Sequence, residues 1–369
     1  MKKQLSSVDA HFLAKELGRL KGSRIDKIYQ PEKETIVFSF HKANEGKKFL
    51  KINSGQSAHL IWEKEDYGET LGFGMFLRKH LDGYFLDNIS QIEPERILKF
   101  NFKAKEESKT LYVELFGKGN VILCNGHNVI LNALEHHDFR ERSVKPKLKY
   151  AYPMMNYNLF ELKENDLAGM FSNSKKETVI VSLATELGLG GLYAEETCLL
   201  GDVDKNINPK NISEKQVKSI INSLKNIISH KLEPKVVLDE DKVIDFIPFD
   251  FEFYRNKEKK QFETFSEAIQ FFYSQFREEK ETEYDKKLKP LQRMIEQQKS
   301  AIESLWKEGK ESREKGELIY HNYSLIKEIL EEMNKASKKY SWKEIKEKLK
   351  DHKTIKEINE KDRKVVIEV

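Results

Sequence analysis

Three glycines within four residues, Gly188, Gly190 and Gly191, constrain this chain more than any other feature. Upstream of them Val179, Ile180, Leu183, Ala184 and Leu187 recur at helical spacing. A glycine inside a helix costs about 1 kcal/mol relative to alanine and opens positive φ, so the helix ends there. Tyr193 to Leu200 reads as a second short helix, closed by Gly201. Two short helices joined by a glycine turn make a helix–hairpin–helix. Such a turn offers backbone N–H groups and a helix N-terminus to a phosphate. An ordinary tight turn between helices takes the same glycines, so spacing alone leaves both readings open.

A chain of 369 residues has room for two or three domains. Charged residues reach 34% and apolar ones only 38%, which fits long helical faces in water and equally a heat-adapted source. A net charge of +4 is too mild to announce nucleic acid, so any basic surface must be local. Two cysteines, Cys124 and Cys198, exclude a disulfide framework and a four-cysteine zinc site. No apolar run approaches membrane length, and Met1-Lys2-Lys3-Gln4-Leu5-Ser6-Ser7 lacks the apolar core of a signal peptide. The expectation is a cytoplasmic protein with no membrane partner.

Ser6 or Ser7 can cap a first helix that turns Val8, Phe12, Leu13 and Leu17 inward, with Asp9 in its first turn against the helix dipole. Alternating segments follow at Arg24–Gln30, Thr35–His41, Lys48–Asn53 and His59–Trp62, then an amphipathic helix over Thr70–Leu81. Strands resume at Tyr84–Ile92, Arg96–Lys103, Leu111–Phe116, Asn120–Cys124 and Val129–Leu134, the last two joined through Asn125-Gly126. The fold class is therefore α+β with an antiparallel sheet, followed by the all-α hairpin and its last helix, Ser213–His230. Lys235–Leu238 and Lys242–Phe246 read as a small hairpin, and Phe265–Phe276 is apolar enough to pack on a domain. From Leu288 a heptad seam runs through Leu291, Ile295, Gln298, Ile302 and Leu305. It continues past Gly309, Ser312 and Gly316 to Ile319, Tyr323, Ile326, Leu330 and Met333. A helix of that length would reach roughly 69 Å, which suits reach or pairing. Beyond Trp342 the pattern is helix, turn and an apolar strand, Val365–Val369.

Arg140 to Tyr150 sets five basic residues, among them Arg142, Lys145, Lys147 and Lys149, against one acid, with Tyr150, Tyr152 and Tyr157 close by. Basic residues interleaved with aromatics suit a phosphate backbone and an unstacked base, although charge runs are more often solvated loop. Glu135-His136-His137-Asp138 lacks a partner cluster and reads as a surface loop, not a metal site. No P-loop, Rossmann fingerprint, HExxH or nucleophile elbow is present. The sequence asks for no enzyme, cofactor or metal.

The wording LGLGGLYAEE at Leu187–Glu196 resembles the helix–hairpin–helix of the NFACT family of ribosome-quality-control factors. Ser7-Val8-Asp9, Leu77-Arg78-Lys79-His80-Leu81, the Arg142–Tyr150 segment, Gln297-Gln298 and Lys315-Gly316-Glu317-Leu318-Ile319-Tyr320 are similar to further landmarks of that family, in order along the whole chain. The resemblance implies an NFACT N-terminal domain over 1–172, similar to the N-terminal domain of formamidopyrimidine-type DNA glycosylases. It implies a helix–hairpin–helix domain over 173–232, a connector over 233–263, a coiled-coil arm over 264–340 and the start of a tip domain over 341–369. An acidic residue in the first helix and an Asp-Arg pair support tRNA recognition in the family. They correspond here to Asp9 and to Glu95-Arg96, with Glu replacing Asp. The implied partners are a large ribosomal subunit obstructed by peptidyl-tRNA, contacted at rRNA and stalk-base protein, and an aminoacyl-tRNA, often alanyl, recruited for untemplated tailing. The ribosome would catalyse the tailing. Family members usually continue through a returning helix to an RNA-binding domain, so the chain reads as an N-terminal fragment. Two rival readings are a nucleobase glycosylase, which lacks its N-terminal proline and zinc cysteines here, and a fibronectin-binding surface adhesin.

Overall fold

In a computed structural model the described residues are 4–62, 67–138, 142–153, 155–276, 283–350, 352, 354–360 and 362–368, with backbone alone for 283–290, 292 and 293. Arg140, Glu141 and the side chain of Leu288, which the sequence reading invoked, lie outside them, as do Met1, Lys2, Lys3 and Val369. The chain forms two compact units, residues 1–277 and 278–369.

The first unit opens with α1 (Ser7–Leu17). Nine antiparallel strands follow: β1 (Arg24–Glu32), β2 (Thr35–Lys42), β3 (Gly46–Asn53), β4 (Ser57–Ile61), then, after helix α2 (Gly72–Leu81), β5 (Phe85–Gln91), β6 (Ile97–Ala104), β7 (Glu107–Glu114), β8 (Asn120–Asn125) and β9 (Ile130–Ala133). Their order is β4-β3-β2-β1-β5-β6-β7-β8-β9, two meanders joined where Arg24 of β1 meets Phe85 of β5. Alternation along the strands sends Leu98, Phe100, Phe102, Leu111 and Val113 to one face, where they meet Val8, Phe12, Leu13 and Leu17 of α1. On the other face Ile97, Tyr112, Ile122 and Cys124 are covered by Val144 and Tyr150, so this end of the sheet is buried on both sides. Gly55 and Gly119 lie in two turns that approach too closely for side chains: a Cβ on Gly55 would stand 2.7 Å from the Lys118 carbonyl carbon.

A two-residue pair, β10 (His137–Asp138) with β11 (Ser143–Val144), leads to helices α3 (Glu164–Asn173), α4 (Val179–Thr185), α5 (Gly191–Leu200) and α6 (Glu214–Ser229). A three-stranded sheet of order β13-β12-β14 follows, from β12 (Lys235–Asp239), β13 (Lys242–Ile247) and β14 (Glu258–Gln261), and the unit closes with α7 (Phe265–Ser274). The sequence reading missed α3 and β14; Glu258-Lys259-Lys260-Gln261 carries no apolar alternation to betray a strand. One contiguous set of buried side chains runs from Leu5 to Phe272. Helix α7 packs on β4, β13 and α1 within that core, as its apolar content leads one to expect, so the first unit runs past the expected domain boundary at 264. Glu16 of α1 secures it, accepting from Phe265 N at 2.5 Å, Ser266 N at 3.1 Å and Ser266 Oγ at 2.5 Å.

The second unit holds α8 (Glu283–His321), α9 (Tyr323–Ser337), α10 (Trp342–Lys348) and a hairpin of β15 (Ile355–Asn359) with β16 (Lys364–Ile367). Its core joins Ile329 and Met333 to Ile345, Ile355 and Ile358. The single long helix expected is divided at Asn322, between α8 and α9, and near its end Ile329 is 8% exposed whereas Leu330, like Ile302 and Leu305, is more than half exposed. Steps of three and four residues both keep a helical stripe on one face, and the packing of α10 and the hairpin selects the shorter step. The hairpin also supplies a strand, β15, ahead of the one expected near the end.

Candidate nucleic-acid interface

Four segments of the first unit meet around one cleft of about 710 Å³. The first is the start of α1. Ser6 Oγ accepts from Asp9 N at 3.0 Å while Asp9 Oδ2 accepts from Ser6 N at 2.7 Å, a reciprocal cap that satisfies the helix end. The second is the turn that enters β6, reached through a cis peptide at Glu93-Pro94. Ser7 Oγ donates to the Pro94 carbonyl. Gln91 Nε2 bridges the two segments, donating to Ser7 O at 2.9 Å and to Glu95 O at 2.9 Å.

The third segment is the glycine turn. Leu187 and Leu189 are buried, while Gly188 and Gly190 take φ of 74° and 76°. The positive φ demands glycine at Gly188, and a Cβ there would also stand 2.6 Å from Met155 Sδ, so the thioether would have to move. Gly190 caps α5, and the first intrahelical bond runs from Ala194 N to Gly190 O at 3.1 Å. The N–H groups of Gly191, Leu192 and Tyr193 therefore stand at the helix mouth, on the cleft wall. The fourth segment supplies Ile244, Asp245 and Tyr254, with Tyr254 Oη donating to Asp245 Oδ2 at 2.8 Å.

Glu95 and Arg96 line this cleft together with Ser6, Ser7 and the three glycines. Asp9 is buried beneath the wall and accepts from Tyr193 Oη at 2.8 Å through Oδ1. Asp9 thus stands beneath the wall of the cleft that Glu95 and Arg96 line, but it does not pair with Arg96. The Asp9 carboxylate is engaged in the cap and on Tyr193. Arg96 Nη1 donates instead to Gln4 Oε1 at 3.4 Å, and Gln4 Nε2 donates to Gly117 O at 2.7 Å. The Glu95 carboxylate turns to the Met155 N–H, Oε1 accepting at 3.0 Å. Burial raises the Glu95 carboxyl above its usual range against the pull of that N–H and of Arg96. Burial likewise lowers the Arg96 guanidinium, opposed by Glu95.

The basic strip lies elsewhere. Arg142 makes a buried bidentate pair with Glu114, Nη1 to Oε1 at 2.5 Å and Nη2 to Oε2 at 3.0 Å. Tyr150 Oη donates to the same carboxylate at 2.9 Å, and burial followed by that charge raises its pKa strongly. Lys147 N donates to Ile130 O and Ile130 N to Leu148 O, which lays the strip along β9. Lys145 pairs with Asp138; Lys145, Lys147 and Lys149 are exposed, and none lines the cleft. Sequence reasoning missed Gln4, Gln91, Asp245 and Tyr254. Lone amides and a carboxylate in a short strand leave no pattern, whereas Tyr193 stood within the glycine-turn wording. Among the described residues no group of three or more His, Cys, Asp or Glu is placed to hold a metal ion. No helix there is long and apolar enough to cross a membrane.

The nine-stranded sheet, its first helix and the glycine turn closing over that helix define a fold shared with solved bacterial proteins. A fibrinogen-binding protein from Staphylococcus aureus matches 73% of this chain and 98% of its own at TM-score 0.61 and 18% identity. The N-terminal part of a fibronectin/fibrinogen-binding protein from Streptococcus suis matches 73% of this chain and 99% of its own at TM-score 0.59 and 22% identity. The sequence profile of NFACT N-terminal and middle domains covers residues 6–365, and the chain belongs to the NFACT family. It is 27% identical to the archaeal Rqc2 homolog aRqcH of Methanocaldococcus jannaschii, over 100% of this chain and 58% of that protein. It is 26% identical to the human ribosome quality control complex subunit NEMF, over 94% of this chain and 35% of that protein. The chain therefore spans between about a third and three fifths of the length of these two relatives.

Proposed function

We propose that the chain serves ribosome-associated quality control in the cytoplasm. It binds large ribosomal subunits obstructed by peptidyl-tRNA and recruits an aminoacyl-tRNA, alanyl in the simplest reading, for untemplated extension of the stalled chain. Peptide-bond formation is left to the ribosome. The observation that carries the reading is the cleft that Arg96 lines together with Gly191, Leu192 and Tyr193 at the N-terminal end of α5. A guanidinium has five donors in a planar fork, and among the described residues one of them is engaged, at 3.4 Å to a neutral amide. Such a fork beside a helix N-terminus suits an RNA phosphate. Lys145, Lys147 and Lys149 would extend the contact over the β9 edge by charge alone, and α8 with the second unit would carry the reach to rRNA and stalk-base protein.

The names of the relatives in quality control support this assignment. The adhesive activities named for the two bacterial structures belong to proteins of 18% and 22% identity, a likeness that carries the fold. The test is sedimentation of the tagged protein in its own cells after induced stalling, with mass spectrometry of the stalled chains. Co-migration with large subunits and tRNA, together with tails that vanish in Arg96→Ala, is expected. A protein found only at the top of the gradient after stalling overturns the reading.

A further inference from the structure

The guanidinium at the centre of the cleft is aimed by a neutral side chain. Arg96 Nη1 donates to Gln4 Oε1, and the same amide is fixed by its own donation to Gly117 O. Gly117 follows β7, whose end is tied to Arg96 by Leu115 N donating to Arg96 O at 2.8 Å, so Gln4 joins Arg96 to the turn beyond that bond. The nearest carboxylates are directed elsewhere. Glu95, adjacent in sequence, turns to Met155 N; Glu114 holds Arg142; Asp9 holds Ser6 and Tyr193. The backbone carrying Arg96 is also fixed by an amide, Gln91, through Glu95 O.

This arrangement has a consequence for binding. A carboxylate in the place of the Gln4 amide would orient Arg96 more tightly, since charge-assisted bonds are about twice as strong as neutral ones. It would also neutralise the charge on which attraction to a phosphate depends. We propose that Gln4 is a positioning residue that orients Arg96 for an RNA phosphate without adding a second carboxylate charge to that of the neighbouring Glu95. This inference rests on the RNA reading of the cleft given above.

Two substitutions separate orientation from charge. Gln4→Glu retains a hydrogen-bonding group and supplies the carboxylate; Gln4→Met removes the hold and adds no charge. Binding of labelled tRNA to the 369-residue chain is measured between about 50 and about 200 mM salt, where each phosphate contact contributes about one unit of log–log slope. Arg96→Ala should lose about one unit of slope. Gln4→Glu should lose a similar amount, since its carboxylate pairs with Arg96 while giving up the donation to Gly117 O. Gln4→Met should keep the parental slope while affinity falls about three- to tenfold, because the charge remains and its direction does not. Parental slope and affinity in Gln4→Glu, alongside a lowered slope in Arg96→Ala, overturns the role of Gln4 and leaves the cleft reading standing. Parental behaviour of Arg96→Ala, or no tRNA binding by the parent at any salt, overturns both.

Discussion

Tyr193 donates its hydroxyl to Asp9 Oδ1 at 2.8 Å, and that bond ties the glycine turn to the first turn of α1 across a fully buried contact. The acid expected to serve RNA directly is therefore a structural member that holds two walls of the cleft together. What links it to the Arg96 segment is backbone: Asp9 holds Ser6, and Ser7 Oγ donates to the Pro94 carbonyl.

Asp9→Ala removes the carboxylate half of the reciprocal cap, leaving Ser6 Oγ on the N–H of residue 9, and takes the Oδ1 acceptor from Tyr193. Loss of a capping side chain costs about 1 kcal/mol, and removing a buried charged acceptor adds about 1–3 kcal/mol. Chemical denaturation should record a loss of about 2–4 kcal/mol, in contrast to the unchanged stability that a surface RNA contact implies. Tyr193→Phe keeps the cap and should cost less. An Asp9→Ala protein as stable as its parent would contradict the buried linkage.

The strip from Arg142 to Lys149 divides by burial. Arg142→Ala strands the Glu114 carboxylate in a buried pair, for which about 3–5 kcal/mol is typical. Lys147→Ala and Lys149→Ala, both exposed, should stay within about 0.5 kcal/mol of the parent. If these lysines meet RNA, the double variant weakens tRNA binding at unchanged melting temperature. A loss of RNA binding in Arg142→Ala is interpretable only beside its unfolding curve.

Most of the first sheet was legible because its strands alternate with period two and are parted by turn residues, as at Phe38, Phe40, Leu50 and Ile52. The glycine turn was legible because only glycine meets its backbone demands at Gly188 and Gly190. What escaped was decided by distant partners. Glu16 reads as an ordinary helix-surface acid until Phe265 and Ser266 arrive to be capped. Arg142 reads as part of a basic run until Glu114 and Tyr150 bury it. Local pattern carries which face a residue occupies, not which of its neighbours in space will claim its charge.

Acid sensitivity should be traceable to a histidine of α1. Burial, aided by Lys15 and opposed by the Ile228 carbonyl, lowers His11 from 6.5 to about 4. The folded value lies below the unfolded one, so between these limits the unfolded chain takes up a proton that the folded chain refuses. Stability is full above pH 6.5 and declines as pH falls through the window. His11 stacks on Phe160 with ring centroids 4.7 Å apart, a contact that His11→Phe can retain. That variant should show a shallower loss of stability between about pH 6.5 and about pH 5, by up to one proton in the slope. Parallel stability curves for the two proteins would remove His11 from the acid response.

The long helix should separate folding from binding. Ile302 and Leu305 are 53% and 66% exposed, so Ile302→Asp and Leu305→Asp should leave the unfolding curve of the chain unchanged. If that side of α8 pairs with another helix in the working complex, the same substitutions weaken subunit binding, because a charge at a seam must be desolvated without a partner. Met333→Ala behaves oppositely: it opens the small core with Ile345 and Ile355 and costs about 2–4 kcal/mol in the second unit. Unaltered subunit affinity in both aspartate variants would take this stretch out of the binding mechanism.

Glu95→Asp tests how far the family resemblance can be followed. By the resemblance alone the substitution restores the usual residue and should be harmless. In this chain the additional methylene brings Oε1 within 3.0 Å of Met155 N, and the Met155 thioether occupies the space that Gly188 leaves open. Aspartate keeps the charge beside Arg96 but falls short of that N–H, so the segment around Met155 loses its tie to the turn at Pro94. The hydrogen bond involves a charged acceptor, for which about 1.5–3 kcal/mol is ordinary, and its loss is local. Amide exchange at Met155 should accelerate while the global unfolding midpoint changes little. Tail synthesis should then fall without loss of subunit association, since the cleft wall loosens while the surfaces outside it remain. Equal exchange at Met155 in both proteins would mean that the loop is held by its packing against Gly188 alone, and the exchange of Glu for Asp would then be a neutral departure.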